Sequence, residues 1–285
     1  MKIWKSFTCE WLVKTTITFN KITAFFIRDF LEELSYPLAF LWRCGGILFR
    51  IVTFYFLGIL VAGAASPQLA PYGGSYFAFV IVGLALGSFL GVALTAISNN
   101  ILTGMYTGTL EAMLVTPSSL STIIFSSVVY QFFSALIEIL IFIILGICFF
   151  GLSLGQANIL AAGVLLALAL LAHLPLGIMA AAFVLVLKRG DPITLMFHHL
   201  SALLGGVYFP IQVLPQWLQT IAFFLPFTHA LEGLRQAVLN GRELAQLVPQ
   251  VSILAAFAIV LNPVSLVFFS WAVRLAKRAG TLSQY

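Results

Sequence analysis

Few residues could take part in chemistry within the long apolar segments of this sequence. Between Ile51 and Leu187 there is no Lys or Arg, and Glu111 and Glu138 are the only acids. An acid in the middle of a membrane helix costs on the order of 3 kcal/mol to insert, so it is usually partnered or functional. Two interpretations of Glu138 stay open. It is either a structural residue, bonded to His173 or to a helix hydroxyl, or a residue that contacts a substrate or carries a proton.

The histidines, the cysteines and the common catalytic motifs do not indicate an enzyme. His198 and His199 are adjacent, so on a helix their side chains point about 100° apart and cannot share a metal ion. The sequence contains no HExxH metal motif and no Walker loop GxxxxGK[ST]. Cys9, Cys44 and Cys148 form no CxxC pair and are interpreted as buried thiols. We therefore expect a chain that is not an enzyme, holds no metal and does not bind ATP through a Walker loop.

The composition predicts where these few polar residues must lie. Of the 285 residues, 61% are hydrophobic and 8% are charged, whereas an ordinary soluble domain has about 25% charged residues. A soluble monomer is thereby excluded. In lipid, all backbone N–H and C=O groups must be satisfied within helices or a closed barrel, and the apolar runs far exceed the roughly ten-residue strands of a barrel. The sequence therefore predicts an all-α polytopic membrane protein.

The apolar runs and the turns between them predict six transmembrane helices. Lys14 to Leu34 is predicted to form an amphipathic helix in the headgroup plane, within a cytoplasmic segment 1–37. A helix of a small soluble domain is the alternative. The transmembrane domain is expected to cover 38–285, with a polar connector at 99–119. Its spans are expected at about 38–65, 76–98, 120–150, 159–187, 193–209 and 248–273.

The segment 209–241 is too broken by prolines to cross a membrane. Pro210, Pro215 and Pro226 divide it into apolar pieces of ten or so residues, the length of re-entrant or interfacial helices. We expect a re-entrant outer segment that closes the outer end of a path, in which Glu232 and Arg235 lie i, i+3 and can form an ion pair. The residues predicted to line the path or its gate are Glu138, Tyr208, Phe209, Phe223, Phe224, Glu232 and Arg235.

The basic residues predict the orientation. If the N-terminus is cytoplasmic, 12 of the 14 Lys and Arg residues fall on inside segments, and only Arg235 and Arg242 fall outside. A bias of this size places both termini in the cytoplasm. The net charge of +5 therefore reports orientation, and no nucleic-acid partner is expected.

Small residues on two predicted spans indicate close helix packing. Gly83 and Gly87 have GxxxG spacing, and Gly205 and Gly206 lie on the fifth span. Such faces let helix backbones approach each other in lipid. We expect both groups, together with Tyr208, at an interface between two subunits.

Two stretches resemble ABC transporter permeases of the type-2 exporter class. Residues 106–117 read YTGTLEAMLVTP, which is similar to the tGTLE..L.TP pattern in the first cytoplasmic loop of that class. Residues 209–235 resemble its re-entrant outer segment before the last span. One departure is that residues 103–106, directly before the first motif, are uncharged here, whereas the family usually has charges there.

The resemblance implies the membrane subunit of an ATP-driven exporter in the bacterial cytoplasmic (inner) membrane, with an amphipathic, lipid-linked or drug-like substrate. It further implies two copies of a separate ABC ATPase subunit, which bind ATP and Mg, and a second permease subunit, expected as a homodimer in the lipid bilayer. This chain then needs no cofactor of its own. A scaffold that docks a soluble ATPase without transporting a substrate is the alternative.

The residues expected to couple the ATPase lie in the connector and at the end of the amphipathic helix. Glu32 and Glu33 gain nothing from an anionic membrane, so we expect them to face protein; solvated helix charges are the alternative. The full set is Gly108, Thr109, Leu110, Glu111, Thr116, Pro117, Arg28, Asp29, Glu32 and Glu33.

Overall fold

The computed structural model describes residues 20–61, 67–109, 120–187 and 192–278. Within these ranges the chain is built of α-helices and short 3-10 segments, and no strand occurs. The α-helices are α1 (residues 20–35), α2 (Pro37–Val61), α3 (Tyr76–Tyr106), α4 (Leu120–Phe150), α5 (Ile159–Leu187), α6 (Pro192–Leu204), α7 (Gln216–Phe223), α8 (Pro226–Leu239) and α9 (Val248–Arg278). The 3-10 segments are Pro67–Tyr72, Ile211–Val213 and Leu244–Gln246.

Five of the described helices are long and apolar enough to cross a membrane: α2, α3, α4 from Val128 onward, α5, and α9 as far as Ala276. Helix α6 has 13 residues and is therefore about 20 Å long, shorter than the ~30 Å hydrocarbon core. It stops because Gly206 has a φ of +84°, and only glycine adopts that region readily. The all-helical membrane fold is confirmed, and the sixth span stays a prediction.

Helix α1 lies against α4. The Phe26 ring packs on Tyr130 and Phe133, with both centroid distances 5.4 Å. Tyr36 interrupts the helical conformation before Pro37, as expected for a residue that precedes proline. Part of the apolar face of α1 therefore contacts protein, and Ile27 and Leu31 on the same helix stay exposed.

Helix α3 is the central helix of the described bundle. In its most apolar stretch 83% of the residues are buried, against 17% in α2 and 11% in α9. A Cβ atom at Gly83 would lie 2.2 Å from the Arg235 guanidinium, and one at Gly91 would lie 2.4 Å from the His198 ring. These glycines therefore make room for helices of the same chain. Our expectation that Gly83 and Gly87 lie at a subunit interface is wrong, because α8 and the turn after α6 already occupy their face of α3.

The helix directions define two ends of the bundle. The α1 end holds α1, the start of α4 and the C-termini of α3, α5 and α9. The α8 end holds the 3-10 segment Pro67–Tyr72, the turn after α4 and the C-terminus of α8, where the Asn158 backbone N–H donates to the Ala237 carbonyl over 2.9 Å.

Candidate functional site

A cavity of about 890 Å³ opens at the α1 end. Its lining extends from Thr107, the residue after α3, inward along α3 to Val92, and on α4 from Ile123 inward to Glu138. On each of the two helices these limits are fifteen residues apart, which corresponds to about 22 Å of helix. Because the apolar part of a bilayer is ~30 Å thick, a cavity of this depth reaches the middle of the bundle.

The cavity has two chemically different walls. Helices α1, α2 and α4 supply all of its charged side chains, whereas α3, α5 and α9 supply apolar side chains together with uncharged polar residues of α3 such as Asn99 and Asn100. The charged residues are Arg28, Asp29, Glu32, Glu33, Arg43 and Glu138. The apolar residues on the other side are Val92, Ile97, Ile101, Leu185, Phe269 and Val273. Four of the nine acids in the whole chain thus line this one cavity.

Glu33 joins three helices beside the cavity. One carboxylate oxygen lies 3.1 Å from Nη2 of Arg43 on α2, and the Tyr130 hydroxyl on α4 donates to the other oxygen. Arg43 in turn donates through Nη1 to Ser134 Oγ over 2.7 Å. Glu33 therefore contacts protein as expected, but the residues that it contacts belong to its own chain.

The neighbouring charges of α1 are arranged differently. Arg28 and Asp29 form an ion pair with a distance of 2.7 Å, and the Arg28 guanidinium lies 4.8 Å from the centre of the Phe25 ring. Glu32 is exposed and has no ion-pair partner in the described part of the chain. Of the two glutamates predicted to contact an ATPase, Glu32 is therefore the one whose carboxylate is available for such a contact.

Charge reversal should separate the roles of these two glutamates. We expect Glu33→Lys to destabilise the chain by roughly 1–3 kcal/mol, because Arg43 and Tyr130 lose their acceptor. We expect Glu32→Lys to fold normally and to reduce the recovery of a bound ATPase. Thermal unfolding in detergent and co-purification at low and high salt measure the two effects. Equal unfolding temperatures for both variants would contradict the assignment.

Glu138 lies at the inner end of the cavity and is paired with Arg50. The distance from Glu138 Oε1 to Arg50 Nη2 is 3.8 Å. His173, which the sequence offered as a partner, instead contacts the Ala169 carbonyl of its own helix through Nδ1, at 2.7 Å. The expected His173 partner is therefore wrong, whereas the choice between a structural and a functional Glu138 stays open.

A second polar cluster lies at the α8 end around Arg235, which is 2% exposed. Its guanidinium donates to three backbone carbonyls, those of Phe79 at 3.2 Å, Gly206 at 2.7 Å and Val207 at 3.0 Å. It also lies 3.5 Å from the centre of the Phe79 ring. Arg235 thus connects α8 to the start of α3 and to the turn after α6.

Glu232 has other partners than the predicted one. Its carboxylate accepts hydrogen bonds from the Tyr72 hydroxyl at 2.6 Å and from the Gln236 amide at 2.9 Å. Burial, followed by the Glu232 charge, raises the pKa of Tyr72 above its usual value, so the phenol stays a donor. No Glu232–Arg235 ion pair forms within this described helix, because the Arg235 side chain points to the carbonyls of α3 and α6. The predicted ion pair between Glu232 and Arg235 is therefore wrong.

The predicted gate aromatics do not form one cluster. Tyr208 stacks on Phe54 of α2 with a centroid distance of 5.9 Å. The next residue, Phe209, is partly buried. Phe223 and Phe224 are exposed on the outside of the bundle. The structure therefore places Tyr208 and Arg235 near the turn after α6 and leaves Phe223 and Phe224 at the surface.

Two of the predicted coupling residues of the connector are described. Gly108, with a φ of +69°, follows the C-terminus of α3, and its N–H donates to the Met105 carbonyl. The hydroxyls of Thr107 and Thr109 are 2.9 Å apart, and both residues line the mouth of the cavity. The remaining predicted residues of this set, Leu110, Glu111, Thr116 and Pro117, lie outside the described residues.

Two further features that are typical of enzymes form no catalytic or metal site in the described residues. Residues 151–155 read GLSLG, which formally matches the GxSxG pattern of serine hydrolases. They follow helix α4 rather than a strand, so they lack the strand-to-helix turn that exposes such a serine. In the described ranges no three His, Cys, Asp or Glu residues are placed to hold a metal ion.

Comparison with known proteins agrees with this architecture. The family of ABC-2 type transporters matches residues 20–239, which is well over half of the chain. The chain therefore belongs to the ABC-2 type transporter family, and the resemblance of its two motifs is confirmed.

A relative is the linearmycin resistance permease protein LnrN of Bacillus subtilis (strain 168). It is 33% identical to this chain over 111 residues, which are 39% of the chain and 28% of the relative. The chain thus matches less than a third of the length of this relative.

Proposed function

We propose that the chain is the transmembrane subunit of an ATP-driven exporter and forms the path for an amphipathic, lipid-linked or drug-like substrate. The observation that carries this proposal is the cavity of about 890 Å³, which reaches mid-depth and has one charged wall and one uncharged wall that presents apolar side chains. Such a cavity suits a molecule with a polar and an apolar part. Family membership supports ATP as the energy source, and the name of the relative supports a drug-like substrate.

The proposed arrangement in the membrane has six spans and a re-entrant outer segment. Helix α6 and the turn after it would form the short fifth span. Phe227, at the start of α8, lies 3.8 Å from the Cβ position of Gly87. Gly87 is eleven residues after the first residue of α3, or about 16 Å along the helix. The start of α8 therefore lies deep in the bundle and its end lies at the surface, which supports a re-entrant path.

The proposed partners follow from the two ends of the bundle. The α1 end would face the cytoplasm, where Glu32 and the connector contact a separate ABC ATPase that holds ATP and Mg. Two ATPase copies and a second copy of this chain would complete the transporter in the bacterial inner membrane.

Isolation of the complex tests this proposal. The tagged chain is purified from its native membranes in mild detergent, and co-purifying proteins are searched for a Walker ATPase. We expect an ABC ATPase in a 1:1 ratio and ATP hydrolysis that depends on both chains. A chain that purifies alone at every detergent and salt concentration tested would contradict the proposal.

The orientation is predicted by the 12-to-2 distribution of basic residues. In a variant whose Cys9, Cys44 and Cys148 are replaced by alanine, we expect a membrane-impermeant maleimide added to intact cells to label Arg242→Cys and to miss Arg189→Cys. Both positions should be labelled after the cells are opened. Labelling of Arg189→Cys in intact cells would reverse the orientation.

A further inference from the structure

Among the partly buried acids of the cavity, the Glu138 carboxyl has the weakest contacts. It lies at the inner end, and its side chain is only 15% exposed. Its ion pair with Arg50 has a distance of 3.8 Å, beyond the range of a hydrogen bond. No hydrogen bond to this carboxylate comes from any residue that the structure describes. A largely covered carboxylate that has only this one long ion-pair contact gains from a closer positive charge, so a further cation at this position would be stabilised.

Arg50 is placed so that it can give up this contact. Its side chain is 44% exposed, it does not line the cavity, and its guanidinium lies 5.5 Å from the centre of the Phe142 ring. Arg50 therefore approaches Glu138 from outside the cavity. A long arginine side chain can move to another position while its stem stays on apolar surface.

The charges of the cavity favour a positive ligand. Four carboxylates and two guanidinium groups line it, and one carboxylate stays in excess when Arg50 is counted. The opposite wall, from Val92 on α3 to Phe269 on α9, carries no charge and presents apolar side chains between uncharged polar residues of α3. A ligand that satisfies both walls has a positive group for Glu138 and an apolar body for α3, α5 and α9.

We propose that this cavity binds an amphipathic cation, whose positive group replaces Arg50 as the partner of Glu138. This proposal rests on the proposed function, since it assigns a substrate class to the same cavity. The apolar part of the ligand lies against Val92, Ile97 and Phe269.

Two ions of nearly equal shape and opposite charge provide the test. Tetraphenylphosphonium and tetraphenylborate both carry four phenyl rings, so they differ mainly in the sign of their charge. Binding of each ion to the purified full-length chain in nanodiscs is measured by equilibrium dialysis, with empty nanodiscs as the blank. We expect saturable binding of tetraphenylphosphonium and only the partition of tetraphenylborate into lipid. Saturable binding of tetraphenylborate alone, or of neither ion, would overturn the proposal.

Three variants connect the binding to Glu138. We expect Glu138→Gln to weaken tetraphenylphosphonium binding about tenfold, and Arg50→Gln to strengthen it several-fold, because Arg50 competes for the same carboxylate. Glu243→Gln, which removes an exposed acid far from the cavity, should leave the affinity unchanged. If Glu138→Gln and Arg50→Gln weaken binding alike, the two residues form a structural pair and the proposal is wrong.

The outcome is independent of the ATPase. The binding measurement uses this chain alone, so a failure removes the amphipathic cation as substrate class but leaves an ATP-driven exporter of another substrate intact. Conversely, the chain can bind tetraphenylphosphonium with the expected variant pattern and yet form no complex with an ATPase. That result would support the cation-binding site and contradict the proposed function.

Discussion

Arg235→Gln should greatly reduce the amount of folded protein and abolish export. Three buried carbonyls, those of Phe79, Gly206 and Val207, lose donors, and an unsatisfied buried polar group costs about 1–3 kcal/mol. The loss separates α8 from α3 and from the turn after α6. Monodispersity and thermal unfolding in detergent measure the effect. Arg242→Gln, at an exposed position, should leave both unchanged.

Gly83→Ala should reproduce the effect of Arg235→Gln without touching the arginine. The added Cβ would lie 2.2 Å from the guanidinium and 2.7 Å from the Val207 carbonyl oxygen, so the Arg235 side chain has to leave its position. Gly163→Ala is the matched control, because nothing lies within 4 Å of its Cβ position on α5. If Gly83→Ala unfolds at the temperature of Gly163→Ala, Arg235 does not hold these elements together.

Exchange of the two charges on α8 should not restore function. In the double variant Glu232→Arg with Arg235→Glu, a carboxylate would face the three carbonyls that Arg235 now bonds. Acceptors would then face acceptors, so we expect a variant at least as unstable as Arg235→Gln. Partial recovery of export would show that a direct Glu232–Arg235 pair matters, against the contacts in the structure.

The second large effect is expected at Glu111 of the connector. Glu111→Ala should leave membrane insertion intact, because one carboxylate in a predicted cytoplasmic connector is expected to contribute little to folding. It should reduce export at least tenfold while the ATPase still hydrolyses ATP. The reason is the motif, in which a single acid lies on the short segment between Gly108 and Pro117. Export and hydrolysis are measured in the same reconstituted vesicles. Glu243→Ala is the control, and wild-type export by Glu111→Ala would reject the coupling role.

The helices were largely predictable because they depend on local patterns. Apolar runs predicted α4 and α5 at 120–150 and 159–187, the bounds that the structure has. The residue before Pro37 predicted the break between α1 and α2. Hydropathy alone did not predict that α6 ends at Leu204, because that end depends on the turn at Gly206 and on its contact with α8.

The contacts of the polar residues could not be predicted from local patterns. Arg235 and Phe79 are 156 positions apart in the sequence, so the near neighbour Glu232 was the obvious partner and the wrong one. Similarly, Arg43 and Arg50 are seven residues apart and so share a face of α2, but their partners Glu33 and Glu138 come from two other helices. Tyr72 and Tyr130 had no sequence signal, because an aromatic residue among apolar neighbours is usually explained by packing.

Transport in reconstituted vesicles tests the central claim most directly. The chain and the ABC ATPase that co-purifies with it are placed in proteoliposomes, tetraphenylphosphonium or a candidate neutral amphiphile is added outside, and its uptake is followed with and without external ATP and Mg. The account predicts ATP-dependent movement from the leaflet that faces the ATPase to the opposite side, absent with a Walker-lysine variant of the ATPase. Vesicles that hydrolyse ATP but move none of a broad panel of amphipathic molecules would contradict it and favour the scaffold alternative.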